Sequence, residues 1–163
     1  MKTNYIAISG VKNSGKTTLI SKLIPKLKSM NLKVATIKHD GHEFEPDVLG
    51  TDSYIHRKSG ADGVGIFSDG RFMVIKEEKT DLKNMLTYFS DMDLVILEGF
   101  KDKDILKIEL VRHKVSNKPY CKEENILFFV TDSNFKTDKK KLSFNQIDEI
   151  ALEIVRYFNL ENR

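Results

Sequence analysis

The chain has 163 residues, 40% of them hydrophobic, enough for one ordinary globular domain spanning residues 1–163 and too few for a second. Its 27 Lys and Arg against 24 Asp and Glu leave a formal net charge of +3, too mild for a nucleic-acid binder, so most basic residues are read as solvated surface. A single cysteine, Cys121, excludes an intramolecular disulfide and a cysteine-built zinc site, and makes a reducing, cytoplasmic setting the expectation. Met1 to Asn4 lead into a short apolar stretch broken by Ser9 and Gly10, which is neither a signal-peptide core nor a membrane span.

Tyr5-Ile6-Ala7-Ile8-Ser9 reads as an apolar strand ended by Gly10. From Thr17 to Ser29, Leu19, Ile20, Leu23, Ile24 and Leu27 recur at helical spacing, with Pro25 expected to kink or weaken the helix. Leu32 to Ile37 is a second strand, and a strand-helix-strand unit of this length implies parallel pairing through a right-handed crossover. A polar stretch from Lys38 to Gly60 follows, with a short helix over about Ser53 to Lys58. Asp69-Gly70 between two apolar runs predicts an antiparallel hairpin over about 63–76, closed by a type I′ turn.

Beyond the hairpin, Asp81 to Phe89 is a helix behind a Thr80 cap, and Asp93 to Leu97 is a buried strand ending at Glu98-Gly99. Leu106 to Val111 alternates apolar and polar residues, and Ile126 to Val130 is continuously apolar. The charge run Thr137 to Lys141 is read as an exposed loop. Ser143-Phe144-Asn145-Gln146 is a capping-box pattern opening a last helix with one apolar face from Ile147 to Phe158. The fold class expected is α/β: a mostly parallel sheet of the P-loop NTPase type, flanked by helices, with an inserted antiparallel β-hairpin.

The chemistry concentrates in Gly10-Val11-Lys12-Asn13-Ser14-Gly15-Lys16-Thr17. A polyphosphate needs several donors converging on it with no side chain between, and Gly10 and Gly15 let the backbone wrap it closely. Lys16 reaches the β and γ phosphates, Thr17 offers its hydroxyl to Mg²⁺, and the helix start, with Thr18, adds partial positive charge. Lys12, Asn13 and Ser14 complete the loop. Glu98, at the end of an apolar strand, is the candidate second metal ligand, whereas Asp93 lies at the wrong end of that strand. Asp40, after the second strand, is a candidate contact to metal or water. His39 and His42 suggest a zinc pair, but no third or fourth ligand is evident, and hydrogen-bonded histidines are the commoner outcome.

Thr36-Ile37-Lys38-His39 with His42, then Gly50-Thr51-Asp52-Ser53-Tyr54 leading to Arg57 and Gly60-Ala61, then Glu98-Gly99-Phe100-Lys101, and finally Lys107-Ile108-Glu109 ending at Arg112, follow in order along the chain. Together with the phosphate loop, these segments resemble the MobB family of molybdopterin-guanine dinucleotide biosynthesis adapter proteins. Ser59 and Leu106 depart from the family pattern, in which a small apolar residue and a proline are usual. The resemblance implies a GTP-binding protein with weak hydrolysis acting beside the guanylyltransferase MobA, which joins GMP to molybdopterin. It also implies a homodimer, for which the hairpin is the natural candidate because an isolated apolar ribbon is marginally stable until covered.

The Asn-Lys-x-Asp element that reads guanine in ordinary GTPases is absent, and Asp132, just past the last apolar strand, is the candidate in comparable chain order. Arg57, Lys101, Lys107 and Arg112 are candidates to collect an anionic pterin phosphate, with solvated surface cations as the alternative. Two further readings stand beside the adapter: a P-loop small-molecule kinase, for which no arginine-bearing lid is apparent, and an interaction protein stabilised by nucleotide without turnover. A nickel-insertion GTPase is disfavoured by the lack of a Cys-His cluster.

Overall fold

A computed structural model describes residues 3–39 and 44–161. The chain divides into two compact units, residues 1–39 with 85–163, and residues 40–84. In the first unit, Tyr5–Ser9 forms β1, Lys16–Ser29 α1 and Val34–Lys38 β2. Leu94–Glu98 forms β5, Lys107–Val111 β6, Ile126–Thr131 β7, Lys141–Leu142 β8 and Ile147–Tyr157 α4. The strands make one six-stranded sheet in the order β2-β5-β1-β6-β7-β8, with every pairing parallel. All carboxyl ends therefore share one edge, and β1 lies inside the sheet with β5 on one side and β6 on the other.

Alternation along the strands decides what each face buries. Ile6 and Ile8, Leu94 and Ile96, Ile108 and Leu110, and Phe128 and Val130 pack in one cluster with Leu19, Leu23 and Leu27 of α1 and Ile150, Ala151 and Ile154 of α4. Removing these side chains from water, at about 2 kcal/mol each, is what fixes both helices to the sheet. Helix α1 runs unbroken through Pro25, whose ring lies on the exposed side. The helix ends where Asn31 takes a left-handed conformation (φ 61°), with Asn31 and Leu32 donating N–H to the carbonyls of Lys28 and Leu27.

Three local expectations need correction in this unit. Lys141, at the end of the charge run, is part of β8, pairing with Phe129 while Leu142 packs inward; two residues are too short for a periodicity signal. Strand β6 is buried at all five positions, Lys107 and Glu109 included. Of the capping box, Gln146 accepts from the Ser143 N–H at 2.7 Å, but Phe144 and Asn145 form a turn and the helix begins only at Ile147.

The buried polar residues of β6 are tied to the loops around it. Lys107, 1% exposed, donates from Nζ to the carbonyls of Phe100, Lys101 and Lys103 at 3.1, 2.9 and 2.6 Å. It thereby folds the helix-free connection 99–106 against the strand. Glu109 accepts the backbone N–H groups of Tyr120 (2.6 Å) and Cys121 (3.2 Å), and burial pushes its carboxyl above the usual range. Burial, then the Glu109 carboxylate, pushes the Cys121 thiol up to about 12.

In the second unit, Asp52–Lys58 forms α2, and Gly63–Ser68 and Arg71–Lys76 form the hairpin strands β3 and β4. The Thr51 hydroxyl caps α2 by accepting from the Tyr54 N–H. The hairpin register pairs Phe67 with Phe72 and Gly65 with Val74 on one face, and Ile66 with Met73 and Val64 with Ile75 on the other. Val64, Met73 and Ile75 are half-buried, while Phe67 (87% exposed), Phe72 (78%) and Val74 stand in the open. The two-residue connection is as expected, but neither Asp69 nor Gly70 is left-handed, so it is not the predicted I′ type. Helix α3, Leu82–Thr87, begins where Asp81, not Thr80, accepts the Asn84 N–H at 2.8 Å.

Replacing Lys107 by Met keeps the stem but leaves three inward carbonyls without their donor. A loss of about 3 kcal/mol in unfolding free energy is expected from urea titration of the two proteins.

Candidate functional site

Strand β1 delivers the chain to the carboxyl edge between β5 and β6, and the glycine loop turns there into α1. Gly10 is left-handed (φ 143°), and a Cβ on it would lie 2.7 Å from the Leu110 carbonyl oxygen and 2.8 Å from Ser14 Oγ, so no larger residue fits. Asn13 (φ 63°) and Gly15 (φ 95°) are also left-handed, which curls the loop back onto itself. Gly15 occupies the N-cap of α1 and has no side chain over the first-turn amides of Lys16, Thr17 and Thr18. Ser14 is fully buried with its hydroxyl unpartnered, while Lys12 and Asn13 are exposed.

Lys16 donates from Nζ to the carbonyls of Gly10 (3.2 Å) and Val11 (2.9 Å), bringing the ammonium over the loop with a third N–H to spare. Burial lowers its pKa, and the Glu98 carboxylate partly opposes this, while Lys101 and Lys38 act in the same direction as burial. The Thr17 hydroxyl donates to Glu98 Oε1 at 2.8 Å, joining the helix start to the end of β5. The strand ends are locked by Ser9 Oγ donating to the Gly99 carbonyl at 2.5 Å and by the Gly99 N–H on Ile8 O at 3.1 Å. A hydroxyl and a carboxylate at this spacing form a hard oxygen donor set, which fits Mg²⁺ completed by phosphate oxygens and water.

The sequence-predicted loop residues and Glu98 thus converge on one spot. Asp132 lies further along the same edge, after β7, where its Oδ1 accepts the His113 N–H at 2.6 Å. Asp40 and His42 lie outside the described residues. His39 is exposed, with its ring 5.4 Å from that of Phe100, and among the described residues no three His, Cys, Asp or Glu side chains gather as a metal group would.

Of the four cations proposed to collect a phosphate, two are engaged within their own units. Lys107 is spent on carbonyls, and Arg57 is held between Glu45 and Glu77. Lys101 lies 4.4 Å from the Tyr120 ring, yet its charge reaches Lys16. Arg112 packs its guanidinium against Gly15 and over the Phe144 ring at 4.1 Å. The signal available in the sequence was its place directly after an apolar strand, but only the strand order reveals that this strand is the neighbour of β1.

A parallel sheet whose central strand feeds a glycine loop into the first helix, with an acid ending the next strand, defines a protein of the P-loop NTPase type. The family model of molybdopterin guanine dinucleotide synthesis protein B, MobB, matches residues 5–132, and the chain belongs to that family. It is 33% identical over 152 residues to the molybdopterin-guanine dinucleotide biosynthesis adapter protein of Haemophilus influenzae, covering 90% of this chain and 84% of that one. To the Escherichia coli adapter protein it is 30% identical, covering 96% and 94%. A crystal structure of molybdopterin-guanine biosynthesis protein B superposes with a TM-score of 0.74 at 29% identity, over 95% of this chain and 99% of that one. For Bacillus subtilis MobB the TM-score is 0.75 at 20% identity, over 92% and 97%, a likeness of fold.

Because its pKa is depressed, Lys16 loses its charge at lower pH than an ordinary lysine. Calorimetric affinity for inorganic tripolyphosphate is expected to fall as pH rises through the alkaline range, before the 10.5 of a free lysine is reached. In the Lys16→Ala variant this alkaline limb disappears.

Proposed function

We propose that the chain is a Mg²⁺-dependent GTP-binding adapter with slow hydrolysis, a single P-loop domain with a hairpin insertion over about 63–76, assisting the guanylyltransferase MobA in forming molybdopterin guanine dinucleotide. The observation that carries this reading is the Thr17–Glu98 contact beside a glycine loop with Lys16 over it. In this assignment the loop amides from Lys12 to Thr18 bind the phosphates and Lys16 gives its third N–H to the β and γ oxygens. Thr17 and Glu98 hold Mg²⁺, which supplies charge neutralisation at the terminal phosphates. Asp132, oriented by the His113 N–H, turns its other carboxylate oxygen to the guanine N–H donors. The adapter role rests on family membership and on the names of the relatives, the MobA partnership on what the family resemblance implies, and the cytoplasmic setting on the single cysteine.

The described residues contain no helix long and apolar enough to cross a membrane. The open hairpin face with Phe67, Phe72 and Val74 is the surface assigned to the homodimer, since burying such a ribbon against a second copy removes its apolar area from water.

Calorimetry with GTP and Mg²⁺ tests the site. Lys16→Ala is expected to lower affinity at least about 100-fold, and equal affinity in the two proteins would remove the assigned phosphate site. Co-purification with the guanylyltransferase, with and without GTP, tests the adapter role; failure in both conditions would leave only the nucleotide half. For the dimer, the double variant Phe67→Asp, Phe72→Asp is expected to sediment as a monomer with its nucleotide affinity intact, and a persistent dimer would move the interface elsewhere.

A further inference from the structure

We infer that Arg112 is a nucleotide-binding residue that grips the polyphosphate at the end nearest the ribose; this deepens the GTP-binding reading and rests on it. The placement follows from strand order. The metal pair Thr17–Glu98 lies toward β5, and the charges acting on Lys16, those of Glu98, Lys101 and Lys38, come from the ends of β5 and β2. Those residues mark the terminal phosphates. Arg112 follows β6, on the opposite side of β1, and Asp132 follows β7, one strand further out. From Glu98 to Asp132 is three strand spacings, about 14 Å, a span suited to an extended nucleotide with its γ phosphate at β5 and its base at β7. Arg112 then falls opposite the α phosphate.

Its surroundings suit that task. The guanidinium stacks on Phe144 at 4.1 Å, and its Nη2 lies 3.2 Å from where a Cβ on Gly15 would sit, so the fork is held at the phosphate loop. Its Nε is buried with no partner, and among the described residues no carboxylate lies within ion-pair distance of it. Arg57 shows the contrast, being neutralised by two glutamates. An uncompensated, preorganised guanidinium beside a cradle of amides is a donor set for a phosphodiester-like oxygen pair.

The test is calorimetry of the full chain with Mg²⁺ and GTP or GDP. Both nucleotides carry the α phosphate, so Arg112→Met, which keeps an unbranched stem on Phe144, is expected to weaken both by the same factor, about tenfold, without lowering the melting temperature of the free protein. Should that variant fold poorly, Arg112→Lys carries the test, because it keeps the charge and loses the fork; again the two nucleotides should lose affinity equally. Unchanged affinities would overturn the assignment, as would a loss confined to GTP, which would put the guanidinium at the terminal phosphate. A wild-type protein that binds neither nucleotide would instead defeat the GTP-binding reading itself.

Discussion

A Cβ on Gly10 would meet the carbonyl oxygen of Leu110 at 2.7 Å and the hydroxyl of Ser14 at 2.8 Å, a place no side chain can occupy. This close approach lets the end of β1 turn beside β6 and set the amides of the next residues around a common centre. Every other part of the site is referred to that point. Lys16 bridges back to the carbonyls that flank the turn, Thr17 begins the helix facing Glu98, and the Ser9–Gly99 bond keeps the two strand ends in step. The sheet core of isoleucine, leucine and valine supplies the rigidity that makes such small spacings meaningful.

Much of this was legible from residue order. The apolar run before Gly10, the helical spacing after Thr17 and the acid after Leu97 each follow from a period or a residue type with one main use. The hairpin strands fell where Asp69-Gly70 put them, although the turn geometry differs because the ribbon closes without left-handed residues. Strand β8 escaped detection because two residues carry no period. The alternation in β6 suggested a half-exposed strand, yet Lys107 and Glu109 are inside, since each finds enough hydrogen-bond partners from neighbouring loops to offset desolvation.

Site residues contributed by distant strands were the harder part. Arg112 and Glu98 are alike in the sequence, each a polar residue closing an apolar run, and nothing local says that their strands flank β1 on opposite sides. Strand order is a long-range property set by packing, and it puts these residues on opposite sides of β1 along one edge of the sheet. Arg57 and Lys107 illustrate the reverse: positive charge by composition, but already consumed by two glutamates in one case and three carbonyls in the other.

The ammonium of Lys107 has a consequence for how sequences with this fold are free to vary. Three carbonyl oxygens from the 100–103 turn converge on a single nitrogen, a demand met by a compact tetrahedral donor. Arginine carries the same charge but spreads its donors across a plane, so it cannot aim three of them at one point. Tolerance at this position is therefore governed by donor shape, and an exchange that leaves the electrostatics untouched would still unseat the connection joining β5 to β6.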